Sequence, residues 1–282
     1  MNDSVLLQCP VCETPLTWSA KECRCANGHS FDPAKEGYLN LLLSHQRKSN
    51  HPGDDASMIQ ARRRFFDSGA FDPVSRAIQK LLPDLKSKAQ SLKPFNILDC
   101  GCGEGHFLGT LSETREGQFF GVDVSKEAVR CAAKRYKKAN WIVANAMRKL
   151  PFADHSLDVI LSILAPRNPE EFVRVLKPDG ALILGVPGPN HLIELRSRLA
   201  ANAGDFEEKA DEAAAKCSPH FSETHREVLS YEQTLNAEQI ADLIQMTPIF
   251  WCSSPEAKAE VQRLDELAVT VSFVFLSFGV RR

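Results

Sequence analysis

From residue 95 onward, short apolar runs alternate with stretches of helical spacing. The runs Phe95 to Cys100, Phe119 to Asp123, Trp141 to Ala144, Leu157 to Ile163 and Ala181 to Val186 read as strands, and the more polar segments between them read as helices. That alternation predicts a parallel sheet with crossover helices. Upstream, Met58, Ile59, Arg62, Phe65 and Phe66, then Val74, Ile78, Leu81 and Leu82, follow helical spacing and predict a helical connector. Between Ala200 and Glu227 the chain is polar and rich in Ala and Glu, which predicts a helical insertion after the fifth strand. The apolar run Leu267 to Val280 is shorter than the ~20 residues a spanning helix needs, and its Val, Thr and Phe content predicts a strand. No membrane span is expected.

Composition narrows the picture. With 282 residues, 43% apolar and 25% charged, the chain can fold as one full domain plus a small module. Its 34 basic and 36 acidic residues nearly cancel, so any nucleic-acid site must be a local patch. Nine unevenly spaced cysteines do not form a disulfide framework and point to a reducing compartment. Met1 to Gln8 lacks the basic and apolar regions of a secretory signal, so the expected location is cytoplasmic.

Four potential metal ligands crowd the N-terminus: Cys9 and Cys12 in C-P-V-C, then Cys25 and His29 in C-A-N-G-H. Two short-spaced pairs complete a tetrahedron around one zinc ion and leave no open position, which means a structural site. A thioredoxin-like redox pair would need a surrounding β-α-β pattern, and none is present. Cys23 would stretch the second pair to a five-residue gap and is read as a bystander.

The chemistry lies farther along. The first predicted strand runs into Asp99-Cys100-Gly101-Cys102-Gly103-Glu104-Gly105, a D-x-G-x-G-x-G turn at the carboxyl end of a strand, where open α/β sheets bind ligands. Glycines there admit close approach of a nucleotide-like ligand. Asp123 ends the next strand, placed to accept hydrogen bonds from two ribose hydroxyls. His106 stands where a dinucleotide fingerprint would carry its third glycine, which disfavours NAD.

These two strand ends, with Leu150-Pro151-Phe152-Ala153-Asp154-His155-Ser156-Leu157-Asp158, resemble the class I S-adenosylmethionine-dependent methyltransferases. The resemblance implies a Rossmann-like α/β fold with a mostly parallel seven-stranded sheet, here preceded by a small zinc ribbon. It implies cofactor contacts from Asp99, Gly101, Gly103, Glu104 and Gly105, then Asp123, then Asn145 and Ala146. Asn145 could equally be an ordinary turn amide.

A narrower resemblance spans most of the chain. F-D-P-A-K-E-G-Y-L-N-L-L (31 to 42), M-I-Q-A-R-R-R-F-F (58 to 66), P-G-P-N-H-L-I-E-L (187 to 195) and Gln245-Met246-Thr247-Pro248, together with the zinc quartet, are similar to the bacterial 23S rRNA (guanine-N1)-methyltransferases. That family implies methyl transfer to N1 of a guanine in a 23S rRNA hairpin, a zinc module (1–45) that helps recognise RNA, a helical connector (46–92) and a methyltransferase domain (93–282) with an insertion or lid at 188–235. It implies further cofactor contacts from Phe71 and His191, and suggests a homodimer. Phe71 lacks the hydroxyl of a tyrosine, so packing alone is expected of it, and His191 is the first candidate for the base that removes the N1 proton. Asp179 stands where many relatives carry glycine. Ile163-Leu164-Ala165-Pro166 lacks the N-P-P-Y pattern of exocyclic-amine methyltransferases. For RNA, the basic candidates are Arg47 with Lys48, Arg62 to Arg64, Arg130 to Lys138, and Arg196 with Arg198. Rival functions are a small-molecule methyltransferase, which the zinc module disfavours, and a catalytically silent RNA-binding or ribosome-assembly protein, which the intact turn disfavours.

Overall fold

Five buried residues in a row, Asn96–Cys100, are what an interior strand of a parallel sheet requires, because helices cover both of its faces. In the computed structural model, which describes residues 6–19, 21–46, 53–82, 95–199, 206–247 and 253–281, this strand is β4 and lies near the middle of the sheet. Ahead of it come the hairpin β1 (Leu16–Trp18) and β2 (Cys23–Cys25), the short β3 (Tyr38–Asn40), and two helices, α1 (Ala56–Asp67) and α2 (Asp72–Leu81). After it the chain alternates through α3 (His106–Thr114), β5 (Gln118–Asp123), α4 (Lys126–Arg135), β6 (Asn140–Val143), β7 (Leu157–Ile163), α5 (Pro169–Val175) and β8 (Leu176–Pro187). It closes with α6 (Ile193–Leu199), α7 (Lys209–Cys217), β9 (Phe221–Asn236), α8 (Ala237–Met246), α9 (Pro255–Val261) and β10 (Glu266–Val280).

The main sheet has the order β3-β6-β5-β4-β7-β8-β10-β9. β3 through β8 pair in parallel, while β10 runs antiparallel between β8 and β9. The chain leaves β4 toward β5 and β6 on one side and returns to β7 and β8 on the other, so a crevice opens at the carboxyl ends of β4 and β7. The expected strands are all present, and Leu267 to Val280 falls in β10. Among the described residues no helix is long and apolar enough to cross a membrane.

Two expectations need correction. The sheet has eight strands rather than seven: Tyr38–Asn40, within the N-terminal module and after its last metal-binding residue His29, pairs with Trp141–Val143 and buries Leu39 completely, so this part of the module caps the outer edge of β6. The helical reading of Ala200 to Glu227 also fails in part. Only Lys209–Cys217 is helical there among the described residues, and from Phe221 the chain is an edge strand paired with β10. Glu227, Leu229, Tyr231, Gln233 and Leu235 alternate inward at period two, a strand signal that the polar composition obscured.

Helices cover both faces. On one face α1 buries Ile59, Ala61 and Phe65, and α8 buries Ile240, Leu243 and Ile244. Asp55 caps α1 by accepting from Ser57 N (2.8 Å) and Met58 N (2.9 Å), and Arg64 reaches from α1 to Asp242 on α8 at 2.6 Å. On the other face the module shares its core with the main domain: Leu7, Cys9, Leu16 and Cys25 pack in one cluster with Leu98, Phe120, Leu150 and Phe152. Gln8 N donates to Pro151 O (3.1 Å) and Ala153 N to Leu6 O (2.9 Å), so the Leu150-Pro151-Phe152 segment holds the module by backbone as well.

Phe152, fully buried and 5.5 Å edge-on from Phe120, sits at that junction. Phe152→Ala is expected to lower stability by about 3–5 kcal/mol in urea unfolding, and limited proteolysis should then cut first between residues 6 and 46. A loss below about 1 kcal/mol with unchanged proteolysis would mean the module is held elsewhere.

Candidate active site and metal centre

The four candidate ligands meet in space. The ligand atoms of Cys9, Cys12, Cys25 and His29 lie within 4.8 Å of one another. Cys12 Sγ is 3.7 Å from Cys25 Sγ, and His29 Nδ1 is 3.4 Å from Cys25 Sγ and 3.6 Å from Cys9 Sγ. A tetrahedral zinc with ordinary bond lengths requires S–S separations of about 3.8 Å and S–N separations of about 3.5 Å, so the donor set fits the ion. The β1–β2 hairpin carries Cys25 opposite Leu16, and a turn with Gly28 at φ 84° brings His29 back to it. Cys23, although buried beside the site, contributes no ligand.

The glycine turn lies where β4 ends. Gly101 and Gly105 have φ of 89° and 86°; a Cβ on the first would sit 2.4 Å from Ala165 Cβ, and one on the second 2.5 Å from the Trp141 ring. No other residue fits either place. Gly101 N donates to Val122 O at 2.8 Å, which binds the turn to β5, and Gly103 N donates to Asp123 Oδ2 at 2.9 Å. Asp123 Oδ1 accepts from Ser125 N at 2.8 Å. Burial raises the Asp123 carboxyl while these two N–H groups lower it. Each oxygen keeps a second lone pair for a ligand hydroxyl.

The other expected residues divide. Asp99 lies beneath the turn, 2% exposed, and burial with the nearby Asp123 pushes its carboxyl up to about 7. Glu104 is enclosed: both its oxygens are buried without a hydrogen-bond partner, in the field of Arg135 and Arg63, and burial pushes it up to about 7. Asn145 sits after β6, but its amide donates to Gln46 O (3.3 Å) and accepts from Met147 N (3.0 Å), so its side chain shapes the loop that presents Ala146. Phe71 is buried at the start of α2, with ring centroids 5.2 Å from Phe65, 5.8 Å from Phe273 and 6.4 Å from His191.

His191 follows β8, and its position weakens the reading of it as a base. Its Nδ1 accepts from Ser272 N at 3.2 Å, so in the neutral ring the proton is on Nε2, which is then a donor. Burial, with Arg196 nearby, pulls it down to about 4. The lone pair a base would use is already committed to the backbone.

Two features were not legible as parts of this site. His106, directly after Gly105, packs against Phe66 at 4.6 Å and lies 3.2 Å from Ser75 Oγ through Nε2, which joins the turn to the aromatic wall of Phe66 and Phe71. Arg62, grouped in sequence with its neighbours as an RNA patch, instead lies against Gly103 and pairs with Asp54 at 2.5 Å. The basic clusters are in general tied up within the protein: Arg63 with Asp67 (4.0 Å), Arg135 with Asp67 (2.6 Å), Arg130 with Glu127, Lys138 with Glu113 (3.0 Å) and Arg198 with Glu260 (3.6 Å). Arg196 lies over the Phe206 ring at 3.9 Å. Arg47, Lys48 and Pro248 fall outside the described residues.

Comparison with known proteins agrees with both centres. A zinc-ribbon family model described as RlmA, N-terminal, matches residues 7–50, and a methyltransferase-domain model matches residues 98–184. Such a domain draws on S-adenosylmethionine, and a Cys3His ribbon holds a structural zinc ion. The chain is 33% identical over 272 residues to the 23S rRNA (guanine(748)-N(1))-methyltransferase of Streptomyces fradiae, covering 95% of both chains. Relatives from Micromonospora griseorubida and Bacillus subtilis (strain 168), assigned to guanine-N1 methylation of 23S rRNA, are each 33% identical; the match covers 96% of both chains for the first and 95% for the second. At that identity along nearly its whole length, the chain belongs to the 23S rRNA (guanine-N1)-methyltransferase family.

Proposed function

We propose that this protein transfers a methyl group from S-adenosylmethionine to N1 of a guanine in a hairpin loop of 23S rRNA. The observation that carries this reading is the coupling of the glycine turn to Asp123 through the Gly103 N–H, on a chain that matches the family over 95% of its length. Gly101 and Gly105 clear the space a side chain would fill, and Asp123 keeps lone pairs for ribose hydroxyls. Bound here, the cofactor supplies a methyl group already activated on a sulfonium. The aromatic wall of Phe66, Phe71 and His106 excludes water from one side of the crevice. His191 offers its Nε2–H as a donor rather than acting as the base, and the proton on guanine N1 leaves to water. The Cys9, Cys12, Cys25 and His29 module is the RNA-recognition element, fixed to the main domain through Leu7 and Phe152. With this substrate the protein works in the cytoplasm, where ribosomes are assembled.

Purified protein given methyl-labelled S-adenosylmethionine should label 23S rRNA at a single guanine, read as one primer-extension stop. Asp123→Ala should abolish the heat of S-adenosylhomocysteine binding along with that stop. Label entering small metabolites and not rRNA would sink the reading.

His191→Gln keeps a side-chain N–H donor and removes the imidazole, so it is expected to retain activity within about tenfold. A base role would instead cost about 100-fold or more. Because the His191 pKa is already down near 4, the wild-type kcat profile between pH 6 and 9 should carry no inflection that His191→Gln removes.

A further inference from the structure

Arg62 and Asp54 form a charge pair at the edge of the glycine turn. Arg62 on α1 places Nη1 2.5 Å from Asp54 Oδ2, and a Cβ built on Gly103 would lie 3.4 Å from that same Nη1. The guanidinium therefore rests on the backbone of the glycine turn. Its Nη2 reaches Met246 O at 3.5 Å. Asp54 is tied to the opposite wall, because its carbonyl accepts from Ser125 Oγ at 3.0 Å, and Ser125 N in turn binds Asp123. A Cβ on the adjoining Gly53 would come 2.8 Å from Ser125 Cβ, so this segment lies tight against the loop after β5. The pair thus spans from the turn to the Asp123 loop, with side chains 22% and 31% exposed. Its neighbours on α1 are bound otherwise: Arg64 anchors the helix to Asp242, and Ile59 and Phe65 fill its apolar face.

We propose that Arg62 and Asp54 together receive the zwitterionic amino-acid end of the cofactor, the guanidinium taking the α-carboxylate and the Asp54 carboxylate the α-ammonium. This rests on the reading of the crevice as the S-adenosylmethionine site. The chemistry is complementary. An amino-acid terminus carries one charge of each sign a few ångströms apart, and a planar guanidinium beside a carboxylate offers the matching charges at the same spacing. Before the cofactor arrives the two side chains neutralise each other, so neither is left as an uncompensated half-buried charge. An RNA phosphate is the poorer occupant, since the guanidinium is turned toward Gly103 and already faces Asp54.

The test compares two ligands that share adenosine and differ in the amino-acid end: S-adenosylhomocysteine, and 5′-methylthioadenosine, which lacks it. By calorimetry on the full chain, Arg62→Gln should weaken S-adenosylhomocysteine by roughly 10- to 100-fold, the range of a charge-assisted hydrogen bond, and leave 5′-methylthioadenosine within about twofold. Arg62→Lys should fall between, and Asp54→Asn should lose in the same ligand-selective way. Binding of 5′-methylthioadenosine reports a folded site in every variant. Equal losses for both ligands would assign Arg62 to holding α1 in place, and undiminished S-adenosylhomocysteine binding with weaker rRNA binding would assign it to RNA; either result overturns the proposal. Wild-type protein that binds neither ligand would overturn the cofactor reading itself, an outcome distinct from a failure of the Arg62 variants alone.

Discussion

The structure depends on how closely backbone approaches backbone and side chain at the end of β4. Ala165, from the loop after β7, would meet a Cβ on Gly101 at 2.4 Å, and Trp141 on β6 would meet one on Gly105 at 2.5 Å. The turn is therefore clamped between the two halves of the sheet rather than standing free as a loop. A ligand site made of backbone must be rigid to be useful, because glycine alone gives no preference among conformations. Here the rigidity comes from the neighbours, and the hydrogen bond from Gly103 N to Asp123 transmits it to the end of β5.

The packing of the zinc module makes it a wall of the main domain. Cys9 and Cys25 are buried in the same cluster as Leu98 of β4 and Phe120 of β5. The part of the module after His29 adds β3 to the sheet, next to the strand whose loop carries Asn145 and Ala146. Metal binding supplies folding free energy to so small a hairpin, and because the apolar core is continuous, that free energy also bears on the sheet edge. The module and the crevice beside the glycine turn are in this way joined through β6.

Much of this was legible in the sequence, and what was not follows a pattern. The strands near Asp99, Asp123 and Ile163 could be read because interior parallel strands are short and mostly apolar, and the first two end in a glycine turn or an acid. The metal quartet could be read because spacing within each pair fixes the turn. β9 was misread because an edge strand with both faces near solvent shows only weak alternation, and β3 was missed because three residues carry no period at all. The role of Arg62 was hidden for a different reason: three consecutive arginines look alike along the chain, whereas on a helix they point about 100° apart, so Arg62 meets Gly103 while Arg64 meets Asp242. The pairing of Arg64 with Asp242, Arg135 with Asp67 and Arg198 with Glu260 joins residues far apart in the chain and is tertiary information.

The buried ionisable groups around the crevice are arranged so that charge is scarce there. Burial pushes Asp99 and Glu104 up to about 7 and pulls His106 and His191 down to about 4. For the two carboxyls, the folded state holds protons that the unfolded chain has lost, so their effect on stability is fully favourable below about pH 4 and fades as pH rises toward 7. For the two imidazoles, the unfolded chain gains protons that the folded state refuses, so their effect is favourable above about pH 6.5 and fades as pH falls toward 4. The two effects occupy the same window with opposite sign. Near neutral pH the imidazoles are uncharged and the carboxyls are only partly ionised. The charges near the turn are then carried by the Arg62–Asp54 pair and by Arg63 and Arg135, whose fields reach Glu104.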